Sequence, residues 1–257
     1  MKAKEKNKKA LVIIPVYNEE KRLGSVLEQI PKKVLDIKVD ILVVNDGSTD
    51  KSEKIARENA TRVVSHKERL GYGRSVRDGF SYAFENGYNY VVKLDGDGQH
   101  DPRRIKTVIK ILDRGDTDYV LSSRYLRIID RKSKPPLERR LVNIMATGAI
   151  NKITGLNLSE VFCGFFGLKT DIIPSLKLKT DHYGLELEMI LKAHFGGYRL
   201  LEIPHSLIYF QKEGSKFTVS FGKEHNLGMR LELYAAIILK TLEELNIKYI
   251  RGSYEEN

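Results

Sequence analysis

The nine residues "KLDGDGQHD", Lys93 to Asp101, place three aspartates, two glycines and a histidine directly after the apolar run "NYVV". Two carboxylates one residue apart, Asp95 and Asp97, on a backbone that glycine lets approach a ligand closely, suit a hard divalent cation. Mg2+ or Mn2+ is commonly held by one or two carboxylates and completed by substrate phosphate oxygens. A calcium loop of the EF-hand kind needs glycine at its sixth position and glutamate at its twelfth; counted from Asp95, those positions are His100 and Lys106, so that reading fails. A plain strand-to-helix turn explains Gly96, Gly98 and the Asp101-Pro102 helix start, but it does not require aspartate to alternate with glycine. His100 and Asp101 stand beside the pair, and a helix-capping or supporting position explains each of them as well as a direct role does.

Other segments carry candidate chemistry. "RLGYGRSVRDG", Arg69 to Gly79, has glycines at 71, 73 and 79 but valine where a dinucleotide fingerprint needs its third glycine, and it lacks the lysine of a P-loop. What remains is a glycine-loosened loop entering a helix N-terminus, which is either an anion contact or a simple turn. Glu186 and Glu188 lie two apart on an expected helix, so at most one of them faces any single site. Lys216, in "KEGSKF", could neutralise a diphosphate as a point charge or be an ordinary loop lysine. The single cysteine, Cys163, rules out an internal disulfide framework and reads as a small buried apolar residue.

The elements that must position these residues alternate. "ALVIIPV", "VDILVVN", "TRVVSH", "NYVVKLD" and "DYVLSSRY" read as strands. Helical patterns fall between them: about Glu19 to Lys33, a helix after the "DGSTD" turn, Arg74 to Glu85, and Pro102 to Leu112. Such alternation predicts an α/β fold with a mostly parallel sheet and helices on both faces. Ligands bind beyond the carboxyl ends of strands in sheets of this kind. Four polar clusters sit at those ends, Tyr17-Asn18-Glu19, Asn45 to Ser48, Asp95 to Gln99, and Ser123-Arg124-Tyr125, and the pattern therefore puts them on one rim. Beyond Tyr125 the sequence predicts a loop over that rim ("LRIIDRKSKPPLE"), a helix from about Glu138 to Ile153, a strand or buried turn in "EVFCGFFGLK", and a helix from about Tyr183 to His194. A strand bending at Pro204 follows. Residues 1–9 read as a basic tail, 10–221 as the α/β domain, and 222–257 as a tail whose amphipathic helix packs on the core or on a membrane surface.

A length of 257 residues allows a substantial core. The net charge of +10 is concentrated between Ser122 and Arg140, where seven cations face two anions for a local +5. A cationic loop suits phosphate, an anionic membrane or nucleic acid. The basic, apolar beginning of the chain meets Pro15 and then Asn18-Glu19-Glu20, which argues against a signal peptide. The uncharged stretch Val142–Asn151 has ten residues, and spanning a bilayer takes about 20, so no transmembrane helix is expected.

In order along the chain, "ALVIIPVYNEEKRL", "ILVVNDGSTDKS", "RLGYGRSVRDGF", "YVVKLDGDGQHDP", "SSRY", "LERRLVN" and "EGSKF" resemble the signature of family 2 glycosyltransferases of the GT-A fold. The dolichyl-phosphate (polyprenyl-phosphate) mannose and glucose synthase branch is the most similar. That resemblance implies inverting transfer of a hexose from GDP-mannose or UDP-glucose to a polyprenyl or dolichyl phosphate, with Mg2+ or Mn2+ as cofactor. It implies that Pro15, Tyr17 and Glu19 line the nucleotide pocket, with Asp46 at the base or ribose. Asp95, Asp97 and Gln99 would hold the metal, and Lys216 the diphosphate. Arg124, Arg139 and Asn143 match positions that grip the lipid phosphate. Asp97, Arg124 and Lys216 would carry the catalysis. Three departures stand out: Asn45 where an aspartate is usual, Asn143 where serine is frequent, and no arginine ahead of Lys216, where Lys212 could substitute.

If the acceptor is a phosphate it is already an anion near neutral pH and needs no general base. The expected location is the cytoplasmic face of the membrane, with peripheral contact to anionic lipid and no nucleic acid partner. The alternatives are a soluble acceptor, a sugar-nucleotide nucleotidyltransferase, and a non-catalytic basic binding module. "PVYNEE" after the first strand lacks the glycine- and cation-rich loop that the nucleotidyltransferase would need.

Overall fold

In β1 (Lys9–Val16) Leu11 and Ile13 alternate with Ala10, Val12 and Ile14, and the two sets enter two different cores. That period of two makes a strand buried on both faces. The computed structural model describes residues 8–126, 137–206 and 227–247. Of the expected loop over the rim, residues 126–138, the stretch 127–136 lies outside the described residues, as do Lys212 and Lys216, and Leu137 and Glu138 already belong to a helix.

The remaining elements are α1 (Leu23–Glu28), β2 (Lys33–Val34), β3 (Ile37–Asn45), α2 (Ser52–Asn59), β4 (Arg62–Ser65), α3 (Tyr72–Glu85), β5 (Tyr90–Lys93), α4 (Ile105–Arg114), β6 (Tyr119–Ser123), α5 (Leu137–Thr154), β7 (Phe166–Lys169), α6 (Ile173–Leu176), α7 (Leu185–Phe195), β8 (Leu200–Pro204) and α8 (Leu227–Glu244). One eight-stranded sheet has the order β2-β3-β1-β5-β7-β6-β8, with β4 also pairing β3. The pairs β1–β3, β1–β5, β3–β4 and β6–β8 are parallel. Strand β7, in the segment expected to be a strand or buried turn, runs antiparallel between β5 and β6. Because it is antiparallel to both, β5 and β6 point the same way.

Helices cover both faces, as expected. Residues of α1, α2 and α4 pack with Val12, Ile14, Val43 and Val92 on one face. Those of α3, α5, α7 and α8 pack with Leu11, Ile13, Val91 and Phe166 on the other. Helix α8 buries Tyr234, Ile238 and Leu242, and Tyr234 meets Phe162 with ring centroids 4.5 Å apart.

Some boundaries differ from the sequence reading. The first helix, expected over Glu19–Lys33, is confined to Leu23–Glu28. The Glu19 amide donates to Ser52 Oγ and the Glu20 amide to Asp50, which ties those residues to the neighbouring loop. The expected basic tail is one residue shorter, because Lys9 already belongs to β1. The helix expected from Pro102 begins as a 3-10 turn over Pro102–Arg104, capped by Asp101, and only then becomes α4.

At the sheet's opposite end, the Asp118 carboxylate accepts hydrogen bonds from the Arg199 backbone at 3.0 Å and from Lys169 Nζ at 2.8 Å, which joins β6, β7 and β8. The Arg199 guanidinium and Lys169 hold its pKa well below the usual carboxylate range. A depressed folded-state pKa contributes stability above the unfolded value of about 3.9, and that stability is lost as pH falls. Asp118→Asn should therefore cost about 1–2 kcal/mol at pH 7. In urea unfolding the difference from the parent should shrink as the pH is lowered from 5 towards 2.

Candidate active site at the strand ends

Parallel pairing brings the carboxyl ends of β1, β3, β5 and β6 to one edge, so the four polar clusters read from the sequence do share a rim. The loops after β1 and β3 are laced together. The Asn18 amide donates to Ser48 Oγ at 3.1 Å, and the Thr49 amide returns to Asn18 Oδ1 at 2.9 Å. Asn18 adopts a left-handed φ of 53°, which asparagine tolerates better than most residues. Pro15 is the last residue but one of β1, and the Arg69 guanidinium lies 4.2 Å from the Tyr17 ring centroid.

Asp46 is buried, and its carboxylate fixes the glycine-bearing loop. Oδ1 accepts from the Leu70 amide at 2.8 Å and Oδ2 from the Gly71 amide at 2.9 Å. His66 bridges Asp46 Oδ1, at 2.8 Å from Nδ1, to Asp78 Oδ2, at 3.0 Å from Nε2. Two backbone amides and an imidazole thus occupy the oxygens of Asp46.

Asp95, Asp97 and Gln99 follow β5, all partly exposed. The Gln99 amide donates to Asp97 Oδ1 at 2.9 Å, a turn that Gly98 permits at φ 75°. The Asp95 amide donates to His100 Nδ1 at 3.1 Å, so the neutral imidazole carries its proton on Nε2. Burial pushes the His100 pKa well below the usual range, which keeps the ring neutral. It therefore braces the loop from behind, packed 5.8 Å from Phe165 and 5.4 Å from His205. Among the described residues no three His, Cys, Asp or Glu side chains form a ready metal centre. The donor set, two carboxylates and an amide on an open turn, fits a hard ion that takes its remaining oxygens from a substrate diphosphate.

Lys93, the last residue of β5, is 0% exposed, and its Nζ lies 2.5 Å from Asp95 Oδ1. The same ammonium sits 4.4 Å from the Tyr72 ring centroid. Tyr72 donates its hydroxyl to Glu186 Oε1 at 2.5 Å, and burial raises the Glu186 pKa against the opposing pull of Lys93. Glu188 faces elsewhere, where it accepts from Lys192 Nζ at 2.6 Å and from the Thr180 amide at 2.9 Å. Of the two glutamates, only Glu186 belongs to the layer beneath the site.

Arg124, one residue beyond β6, is clasped by buried Glu160. Its backbone amide donates to Oε2 at 2.7 Å and its Nε to Oε1 at 2.8 Å, with a second guanidinium bond from Nη2. Asn143, on α5, is buried, and its Oδ1 has no hydrogen-bond partner among the described residues. Arg139 lies one turn earlier and is partly exposed. Burial raises the Cys163 thiol to about 12, so it stays protonated and unreactive. The sequence reading missed Lys93, Tyr72, His66 and Glu160. A lysine closing an otherwise apolar strand was the one available signal; Glu160 has none in its local pattern.

The model of the family described as "Glycosyl transferase family 2" matches residues 11–176. An uncharacterized protein of Methanocaldococcus jannaschii is 30% identical over 80% of this chain and 84% of its own. The undecaprenyl-phosphate mannosyltransferase of Micrococcus luteus is 26% identical over 82% of this chain and 88% of its own. Among solved structures, glucosyl-3-phosphoglycerate synthase from Mycobacterium tuberculosis, in complex with Mn2+, UDP-glucose and phosphoglyceric acid, has a similar fold. The TM-score is 0.68 at 18% identity, covering 94% of this chain and 81% of that one.

The Arg124–Glu160 clasp makes a stability prediction. Removing one partner of a buried ion pair costs about 3–5 kcal/mol, because the other charge is left uncompensated. Arg124→Ala should show a loss of that order in equilibrium unfolding, and the double change Arg124→Met with Glu160→Met should recover most of it.

Proposed function

The chain belongs to glycosyltransferase family 2, and on that premise we propose that it transfers a hexose, with inversion, from a nucleotide-diphosphate sugar to a polyprenyl phosphate. The observation that carries this reading is the placement of Asp95 and Asp97 after β5 and of the clasped Arg124 after β6, two strands that run the same way on either side of antiparallel β7 and end on one rim. The related mannosyltransferase acting on undecaprenyl phosphate supports the acceptor, and the Mn2+ and UDP-glucose complex of the structural neighbour supports the donor class and the cofactor.

In the proposed arrangement Pro15, Tyr17 and Glu19 line the nucleotide pocket, and Asp46 shapes it by fixing the loop at Leu70 and Gly71. Asp95, Asp97 and Gln99 hold Mg2+ or Mn2+, which when bound neutralises charge developing on the leaving diphosphate. Lys216, outside the described residues, flanks that diphosphate. Arg124, Arg139 and Asn143 orient the acceptor phosphate. One of its oxygens attacks the anomeric carbon from the face opposite the diphosphate, the carbon–oxygen bond to the diphosphate breaks, and the electron pair stays on the leaving phosphate. No proton has to move, which agrees with neutral His100 and a buried Glu186 that serve as supports. A soluble phosphorylated acceptor is the second reading, favoured by the phosphoglyceric acid bound in the structural neighbour.

Contact with an anionic membrane is part of the proposal. No helix among the described residues is long and apolar enough to cross a membrane. On α5, however, Leu137, Leu141, Ile144 and Met145 are exposed beside Arg139 and Arg140. Apolar side chains flanked by cations suit an anionic interface.

The decisive assay supplies GDP-mannose or UDP-glucose, Mn2+ and a polyprenyl phosphate in vesicles. Radiolabel should pass to the lipid fraction, and Asp97→Ala should lower the rate by about 100-fold or more with the fold intact. Donor hydrolysis without a lipid product would move the assignment to a soluble acceptor. Separately, co-sedimentation with phosphatidylglycerol vesicles should fall as salt rises, and Ile144→Ser with Met145→Ser should weaken it without lowering thermal stability.

A further inference from the structure

Lys93 is an expensive residue for its position. The strand reads Tyr90-Val91-Val92-Lys93, every side chain buried, and an apolar fourth residue would avoid desolvating an ammonium. Alternation puts Lys93 on the same face as Val91, towards α3 and α7, where the Tyr72 ring and buried Glu186 receive it. Its hydrogen bond, however, goes back to the rim, to Asp95 Oδ1 at 2.5 Å. The surroundings are shaped to this contact: a Cβ added at Gly164 would stand 2.8 Å from Lys93 Nζ and 2.8 Å from Asp95 Oδ2.

We propose that Lys93 is a resident cation of the diphosphate site that cancels one of its two aspartate charges, so that a divalent ion binds weakly until the nucleotide brings its own anionic oxygens. The inference rests on the reading of Asp95 and Asp97 as the metal-holding pair. With Lys93 in place, the Asp95, Asp97 and Lys93 group carries one net negative charge; without it, two. The ammonium also keeps Asp95 aimed in the absence of any ligand. Metal and nucleotide then bind as one unit, each much more tightly in the presence of the other.

The test is Mn2+ binding, followed by electron paramagnetic resonance, to the full chain alone and in the presence of GDP or UDP. Wild type should bind Mn2+ weakly alone and far more tightly with nucleotide. In Lys93→Met the affinity for Mn2+ alone should rise about tenfold or more, as expected for removing a unit charge a few ångströms from a divalent ion. The enhancement produced by nucleotide should fall by a similar factor. Should that variant fail to fold because Glu186 is left unbalanced, the volume-matched pair Lys93→Met with Glu186→Gln avoids stranding a buried carboxylate and should shift Mn2+ affinity in the same direction, because Lys93 contacts Asp95 whereas Glu186 is bonded to Tyr72. Unchanged or weakened binding of Mn2+ alone in a folded variant overturns the inference while leaving the metal reading standing. Absence of Mn2+ binding to wild type, with and without nucleotide, overturns both.

Discussion

The parallel register of β3, β1 and β5 is the constraint on which the rim depends. β1 is paired from Lys9 to Val16 against Lys38 to Asn45, and β5 aligns Lys93 with Ile13. A slip of one residue in β5 would exchange its two faces. Val92 would turn towards α3 and α7, Lys93 would enter the apolar layer with Val12 and Ile14, and Asp95 would lose its ammonium. The hydrophobic pattern and the charge layer therefore specify the same register. The Leu94 amide reinforces it by donating to the Ile13 carbonyl at 3.2 Å, the last rung before the chain turns into the aspartate loop.

Behind the rim several charged groups among the described residues are kept away from water and paired. Glu160 holds Arg124, Glu188 holds Lys192, and Asp46 takes His66 and two backbone amides. A buried charge adds little to stability relative to a well-packed apolar pair, but it is costly to strand. What such pairs supply here is fixed direction. The Arg124 guanidinium cannot rotate away while two of its nitrogens are bound to Glu160, and the loop from Leu70 to Gly71 cannot leave Asp46 without exposing two amides to an apolar interior.

How much of this was legible in the sequence follows from how local each signal is. Strand periodicity and the turn residues at strand ends are local, and they delivered the sheet, the shared rim and the Asp95–Asp97 pair. The length of α1 was not local: whether Glu19 and Glu20 join a helix is decided by Ser52 and Asp50, about 30 residues away. The segment at Phe166–Lys169 read equally as a strand or a buried turn because it is short, and its two neighbours decide for the strand. Glu160 lies 36 residues from Arg124, and nothing in its local sequence announced the clasp. Asp46 was recognised by its motif, yet its partners at 66, 70 and 71 are brought to it by the fold. Cross-chain partners of buried charges are the class of information that periodicity cannot hold.

These pairings bear on a reaction between two anions. In the proposed transfer a diphosphate departs while a phosphate arrives, and the site must offer positive charge to both without binding either so tightly that turnover stops. Loose surface lysines would have to be ordered at the moment of reaction, which costs free energy when the barrier is highest. A guanidinium already clasped by Glu160 and an ammonium already seated on Asp95 are ordered beforehand, and their reorganisation is small. Each clasping carboxylate also moderates the field of its cation, so neither cation presents its full charge when no substrate is present. Preorganised but half-neutralised cations are thus a physical answer to the conflict between holding two anions together and letting the products go.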